Sequence, residues 1–481
     1  MTAYETVVGL EVHAQLKTES KIFCSCSTKF GARPNTQVCP VCLGLPGVLP
    51  VLNERAVRFA VMTGLAVGGK IAERSVFARK NYFYPDLPKG YQISQYDRPL
   101  CAGGSVDVLV EGARKRIGLV RIHLEEDAGK SIHPEGREGV TTTLVDLNRS
   151  GVPLIEIVSE PELRSGAEAY EYLTRLKQIL MYLDVCDGNM EEGSLRCDAN
   201  VSVRPRGSTA FGTKTEIKNM NSFRNVERAI AFETVRQISI LESGGRVVQE
   251  TLLWNADKGT AEPMRSKEEA HDYRYFPEPD LLPLDLESRW IESVRSDLPE
   301  LPYQVRDRLA REFGIPEYDA EVLTETRSLA FYYEEVARRA GNGKLASNWI
   351  MTEVNGARNK RGQTIEEFPI RPDRLGALVK MIAEDRISGK IGKQLFELML
   401  TRPEGAEELV KSQGLLPIDD DASLRALARE VIAANPGPVA EVKAGKERTF
   451  AFLVGQAMKQ SRGRAHPEKI QAVLRQELEA K

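Results

Sequence analysis

Between residues 6 and 16 apolar and polar positions alternate, with Val8, Leu10, Val12 and Ala14 on one face and Glu11, His13 and Gln15 on the other. A period of two marks a half-buried β-strand, because successive side chains leave a strand on opposite sides. Residues 117–124 form a second alternating stretch, and residues 153–158 form an apolar run that carries a single charge, Glu156. Helical spacing appears at residues 53–66, 165–183 and 225–242, the last closed by Gly244-Gly245. A Pro-rich stretch, residues 275–283, then breaks the pattern, since each proline fixes φ and removes a backbone donor. From about Glu292 strand signals vanish and amphipathic helical runs such as 305–313 and 328–339 take over. Near residues 401–404 the composition shifts again, and short helices follow, separated by Asn435-Pro436-Gly437-Pro438. These patterns predict an α+β protein: a largely antiparallel-sheet domain over 1–291, an all-α helical domain over 292–403 and a small α-helical tail domain over 404–481.

A chain of 481 residues, 42% of them hydrophobic, is long enough to bury a large core and to divide into two or three domains. No apolar run approaches the roughly 20 residues that cross a bilayer, and the opening Met1-Thr2-Ala3-Tyr4-Glu5 has no signal-peptide character, so the expectation is a cytoplasmic protein without a membrane partner. The net charge of −3 argues against a uniformly basic nucleic-acid coat. Charge placement changes that picture, because residues 443–481 hold nine Lys or Arg against four Glu. A basic module is expected there.

Four of the seven cysteines crowd into one loop as Cys24-x-Cys26 and Cys39-x-x-Cys42. Four thiolates at this spacing can hold a tetrahedral Zn²⁺ and leave no open position, so the ion would be structural. Cys101, Cys186 and Cys197 are expected to be buried thiols.

Glu11 and His13 share one face of the first strand, Glu125-Glu126-Asp127 follows the second, and Glu156 sits inside its apolar run. A carboxylate in such a run is costly unless it is paired or metal-bound, and oxygen ligands with one imidazole suit Mg²⁺ or Mn²⁺. From spacing alone two readings stay open, a metal-binding set and a group of salt-bridged surface acids. Anion-holding groups are dense nearby in Arg79-Lys80-Asn81-Tyr82-Phe83-Tyr84, Asn148-Arg149-Ser150-Gly151, Arg196-Cys197-Asp198-Ala199-Asn200 and Glu216-Ile217-Lys218-Asn219. Such groups serve phosphoryl transfer, whose catalysis is positioning and charge neutralisation; they serve equally as strand-end ion pairs. Gly129-Lys130-Ser131 resembles the end of a P-loop, but Leu124 stands where the earlier glycine is required. Any ATP would be held without a Walker A loop.

Taken together, several segments resemble the family of aspartyl/glutamyl-tRNA amidotransferase B subunits. They are Gly9-Leu10-Glu11-Val12-His13, the run from Arg79 to Gln95, Glu125-Glu126-Asp127-Ala128-Gly129-Lys130, Pro153-Leu154-Ile155-Glu156-Ile157-Val158, residues 192–201, residues 272–280 and the tail segment 453–459, in the family's order. The resemblance implies a cradle domain with a kinase and transamidase site, a helical domain and a tail that touches tRNA. It implies a heterotrimer with an amidase-type glutaminase A subunit and a small C subunit, acting on aminoacyl-tRNA. The carry-over would give Mg²⁺ (or Mn²⁺) the ligands Glu11, His13, Glu126 and Glu156, place Lys80 on phosphate charge, and line the ATP and substrate pocket with Asn148, Arg149, Arg196, Asp198, Asn200, Lys218 and Asn219. Lys459, Arg462 and Arg464 would meet tRNA phosphates. A non-catalytic tRNA-binding scaffold for the glutaminase is the rival expectation. Choice between Glu-tRNA(Gln) and Asp-tRNA(Asn) has no motif, because one methylene only changes pocket depth.

Overall fold

The computed structural model describes residues 3–110, 112–132, 142–264, 273–415, 418, 420–461 and 463–479. They divide into two compact units, Met1–Leu301 and Pro302–Lys481.

The first unit is built on a ten-stranded sheet. Its path runs Thr260–Pro263, Thr251–Asn255, Thr215–Lys218, Leu195–Pro205, Tyr4–Gln15, Pro153–Ser159, Ala113–Glu126, Cys101–Ala102 and Lys70–Ile71, with Ser105–Val110 also paired to Ala113–Glu126. All pairs are antiparallel except that between Thr215–Lys218 and Thr251–Asn255. The strand nearest the N-terminus is therefore central, between Leu195–Pro205 and Pro153–Ser159. Its alternation has the expected consequence: Val8, Leu10, Val12 and Ala14 are buried, while Glu11, His13 and Gln15 are half-buried. Each fully buried Val or Leu contributes about 1.5–3 kcal/mol, which ties the strand's register to its hydrophobic face.

Helices Glu54–Ala66, Gly166–Tyr182 and Phe223–Glu242 supply the rest of that core. Each begins at a polar residue whose side chain accepts from the first free N–H groups: Asn53, Ser165 and Ser222. With helices packed on the apolar face, the polar face of the sheet is left for chemistry.

A small three-stranded sheet of Ala78–Asn81, Tyr91–Ser94 and Phe276–Pro277 lies beside the large one. The Pro-rich stretch thus folds back onto the first unit, and Leu284–Asp285 pairs with Arg74–Ser75. Helix Ser288–Ser296 follows and packs on Glu54–Ala66, with Asp297 ion-paired to Arg58. This is why the unit extends to Leu301, ten residues beyond the position read from the prolines.

In the second unit every element longer than an isolated bridge is helical among the described residues. Arg327–Ala340 packs against Pro372–Ala383, and the Tyr332 hydroxyl donates to the Ile370 carbonyl at 2.7 Å. Ala406–Ser412 packs on this same helical group. From Leu424 onward a separate apolar core forms around Leu427, Val431, Leu453, Ile470 and Leu474.

Candidate functional site

The strand registers bring four side chains into one line. His13 lies opposite Arg196 on one neighbour and opposite Glu156 on the other, and Glu156 lies opposite His123 on the next strand. Cross-strand partners sit about 5 Å apart, so Arg196, His13, Glu156 and His123 form a row over four strands. Glu125, two residues beyond His123, shares that face. The His13 Nε2 atom is 3.3 Å from Glu156 Oε2 and 3.8 Å from Glu125 Oε1, and His123 Nε2 is 3.7 Å from Glu156 Oε2 and 3.6 Å from Glu125 Oε2. One ligand atom each from His13, Glu125 and Glu156 falls within 4.8 Å of the others, a spacing fit for a single cation. The Ser94 hydroxyl donates to Glu125 Oε2 at 3.1 Å.

Burial opposes ionisation of Glu156, yet the hydrogen bond from His13 and the fields of His123, His13 and Lys80 hold its carboxyl far below the usual range. Glu125 follows the same balance, burial against the His123 hydrogen bond, with a net lowering. Burial disfavours the His13 cation, but its hydrogen bond to Glu156 and the nearby carboxylates raise it overall. Burial also works against the Lys80 ammonium, which Glu125 and Glu156 nonetheless keep charged. Glu11 is the exception: burial, then the charges of Glu156 and Glu216, push it up. The face therefore holds two firmly ionised carboxylates, one carboxylate readier to take a proton, and a half-buried ammonium.

Glu126, the acid expected from the sequence, does not join this group. Its neighbour Glu125 takes that place, because adjacent residues of a strand face opposite ways. Glu126 turns to the other side, where its carboxylate is ion-paired with Lys89 and accepts from the Ile93 N–H at 2.8 Å. Glu11 lies on the correct face but outside the three-residue cluster, and Asn200 Nδ2 donates to it at 2.9 Å.

The remaining pocket residues divide into two groups. Arg196 reaches Asp127 at 3.0 Å, Gln15 donates to Asp127 at 2.7 Å, and Lys218 pairs with Asp198 at 2.6 Å, so these line the polar face. Asn148 and Asn219 instead hold backbone, Asn148 Nδ2 donating to the Arg33 carbonyl and Asn219 to the Trp254 carbonyl, while Arg149 does both, donating to the Ala128 and Gly129 carbonyls with its Nε 3.7 Å from Asp127 Oδ2. Sequence patterns did not single out His123, Glu125 as the inward acid, Ser94 or Lys89. Only His123 carried a signal, its spacing of two from Glu125.

Cys24, Cys26, Cys39 and Cys42 offer sulfur atoms within 4.8 Å of one another, so the clip can bind a metal ion. The Cys42 sulfur accepts from the Cys39 N–H at 3.1 Å and lies 3.6 Å from the ammonium of Lys21, which is fully buried. A hydrogen bond from Cys24 above all, with help from Lys21, lowers the Cys42 thiol to about 4. Cys101, Cys186 and Cys197 are buried free thiols, as expected.

In the tail, Lys459 is exposed in the last turn of helix Glu447–Gln460. Arg464 is half-buried and donates to the Ser461 and Gly414 carbonyls. Arg462 lies outside the described residues. Among the described residues no helix is long and apolar enough to cross a membrane.

A family described as the GatB/GatE catalytic domain matches residues 6–292, and one described as the GatB domain matches residues 331–478. The chain is 54% identical over 475 residues to the B subunit of the aspartyl/glutamyl-tRNA(Asn/Gln) amidotransferase of Geobacter sulfurreducens, covering 99% of each chain. It is 54% identical over 472 residues to the protein of the same description in Thermodesulfovibrio yellowstonii, covering 98% of each, and 52% identical over 475 residues to that of Syntrophotalea carbinolica, covering 99% of this chain and 98% of the relative.

Proposed function

This chain belongs to the GatB/GatE family, and from that premise we propose that it carries the ATP-dependent half of a tRNA-dependent amidotransferase. In this reading the side-chain carboxylate of Glu-tRNA(Gln) or Asp-tRNA(Asn) takes the γ-phosphoryl group of ATP, and ammonia displaces phosphate from the resulting acyl phosphate to leave the amide. Activation is needed because a carboxylate has no good leaving group, whereas phosphate departs readily.

The observation that supports this most is the in-register row of His13, Glu156 and His123 with Glu125 beside it and Lys80 among the same charges. Two ionised carboxylates and an imidazole are the donors a hard divalent cation prefers, so His13, Glu125 and Glu156 would hold Mg²⁺ or Mn²⁺, with Glu11 close by. Such an ion supplies neutralisation of phosphate charge when bound. Lys80 adds a fixed positive charge to the same place. Arg196, held by Asp127, and Lys218, held by Asp198, present cations along one edge of the face for the carboxylate of the aminoacyl group. Because these groups stand on paired strands, Lys80 on the small sheet and the others on the large one, they are positioned before substrate arrives, which is what phosphoryl transfer requires.

Ammonia would come from a separate amidase-type glutaminase subunit, with a small third subunit completing a heterotrimer in the cytoplasm. The four-cysteine clip would hold a structural Zn²⁺, since four thiolates close the coordination sphere. The tail, through Lys459 and its basic neighbours, would contact tRNA phosphates.

The test uses the assembled complex with ATP, Mg²⁺, glutamine and each charged tRNA in turn. Expected is amidated aminoacyl-tRNA together with ATP consumption that depends on the charged tRNA. Amide formation without ATP, or ATP consumption indifferent to charged tRNA, overturns the proposal and favours the scaffold reading.

A further inference from the structure

Phe83 is 85% exposed, and Tyr84 and Tyr96 are 44% and 45% exposed. Aromatic rings left in water at the edge of a catalytic face call for a reason, since singly scattered apolar residues are ordinary but a contiguous set is not. Tyr84 and Tyr96 are contiguous with other rings, and Phe83 stands beside Tyr82 and Tyr84 in the chain. Tyr84 meets Tyr82 edge-on at 5.9 Å, Tyr82 meets Tyr273 at 6.0 Å, Tyr273 meets Tyr275 at 6.0 Å, and Tyr275 stacks on Tyr96 at 4.1 Å with planes 6° apart. The array touches the site at Lys80, whose ammonium lies 4.9 Å from the Tyr273 ring centroid and answers to Glu125 and Glu156.

The segment bearing Phe83 is held in shape. Tyr82 donates its N–H to the Gly90 carbonyl at 3.3 Å, Leu87 to the Tyr84 carbonyl at 3.0 Å, and Gly90 to the Leu87 carbonyl at 3.0 Å. Gly90 has φ +74°, and a Cβ there would come within 3.1 Å of the Phe83 ring. A side chain there would strain the turn and press on the ring above it. Phe83 is thus displayed by a built turn. Exposed arginines, Arg98 and Arg274, flank the stacked pair Tyr96 and Tyr275 in sequence.

We propose that Phe83, Tyr84 and Tyr96, backed by Tyr82, Tyr273 and Tyr275, form a stacking platform for the unpaired bases at the 3′ end of the aminoacyl-tRNA. This rests on the function proposed above. The reacting carboxylate is tethered to the terminal ribose, so the last bases must lie beside Lys80 and the carboxylate cluster whenever the chemistry runs. Unpaired bases bind rings through their π faces and tolerate any sequence, and adjacent arginines suit the phosphates between them. An array of several rings fits several successive bases better than the lone adenine of ATP.

The experiment uses the assembled complex with Phe83→Ala, Phe83→Leu, Phe83→Trp and Tyr96→Ala. Expected is a roughly 10-fold rise in KM for aminoacyl-tRNA in the Ala and Leu variants, with KM for ATP within twofold of wild type and rescue by Trp. A tRNA ending in 2-aminopurine should lose fluorescence on binding wild type, and that quench should shrink in Phe83→Ala at saturating protein. A rise in KM for ATP instead, wild-type behaviour of Phe83→Leu, or an unchanged quench overturns the platform. Failure of wild type to amidate would instead overturn the underlying function, so the two failures are distinguishable.

Discussion

Glu125 and Glu126 differ by one position and face opposite sides of a strand, so their amide variants should fail in different ways. Glu125→Gln keeps the side chain's shape and its contact with Ser94 but removes one charged donor of three. Loss of an outer hydrogen-bond partner already weakens metal sites 10–100-fold, so loss of an inner donor should cost at least about 100-fold, or about 2.7 kcal/mol of cation affinity. Glu126→Gln removes instead the partner of Lys89, an ammonium whose side chain is only 7% exposed. Stranding a buried charge costs about 3–5 kcal/mol, and because the amide oxygen can still accept from the Ile93 N–H the lower figure applies. In a unit that spans Met1–Leu301, about 3 kcal/mol lowers the melting temperature by roughly 5 °C. Mn²⁺ titration followed by electron paramagnetic resonance, with calorimetry on the same preparations, separates the two effects. If Glu126→Gln abolished Mn²⁺ binding while melting normally, and Glu125→Gln bound Mn²⁺ as wild type does, the assignment of faces would be refuted.

Cys39→Ser should at least halve the zinc content measured by mass spectrometry and lower solubility, while turnover per folded molecule stays within twofold; a turnover loss in a zinc-loaded, normally melting protein would show a catalytic ion. Lys459→Ala should reduce the salt slope of tRNA binding by about 1, read from affinities between 50 and 200 mM salt, whereas Arg464→Ala should chiefly loosen the tail, because Arg464 is already spent on two carbonyls. In the helical unit, burial opposes ionisation of Asp319, but hydrogen bonds from Lys344 and Ser347 lower it overall. A carboxyl depressed in the folded state adds stability above its unfolded value of about 3.8 that is lost as pH falls through the folded one. Asp319→Asn should therefore flatten the acid limb of the urea stability profile below about pH 4, and identical limbs would exclude the linkage.

The period-two alternation from Val8 to Gln15 was legible because one face of that strand is apolar and the other polar, and the structure keeps both faces as written. The helices that start after Asn53 and Ser165 were legible from their apolar spacing, and the structure adds that both residues cap them. Which of Glu125 and Glu126 turns inward was not, because both follow the same strand and only the pairing of Leu154 with Glu125 and of Pro153 with Glu126 fixes the face. Asn148 and Asn219 resembled pocket residues by type, and their side chains answer backbone carbonyls, a long-range matter with no local mark. Ser94 meets its acid from a different, smaller sheet and Lys89 from the turn before that sheet's strand Tyr91–Ser94, and no periodicity could have joined them.

The central place of Tyr4–Gln15 has a kinetic consequence. Leu10 and Glu11 find their partners Ser159 and Asn200 at separations of 149 and 189 residues. At about 5–20 residues per second of synthesis, the strand waits roughly 10–40 s for its second neighbour. Both of its edges are unpaired until Pro153–Ser159 emerges and one edge stays so until Leu195–Pro205 follows, while its apolar face is open to any other nascent strand. Glu11 and His13 then act as gatekeepers, interrupting what would otherwise be a continuous sticky ribbon. Variants that replace both with apolar residues to probe catalysis should accumulate in inclusion bodies before any enzyme can be assayed.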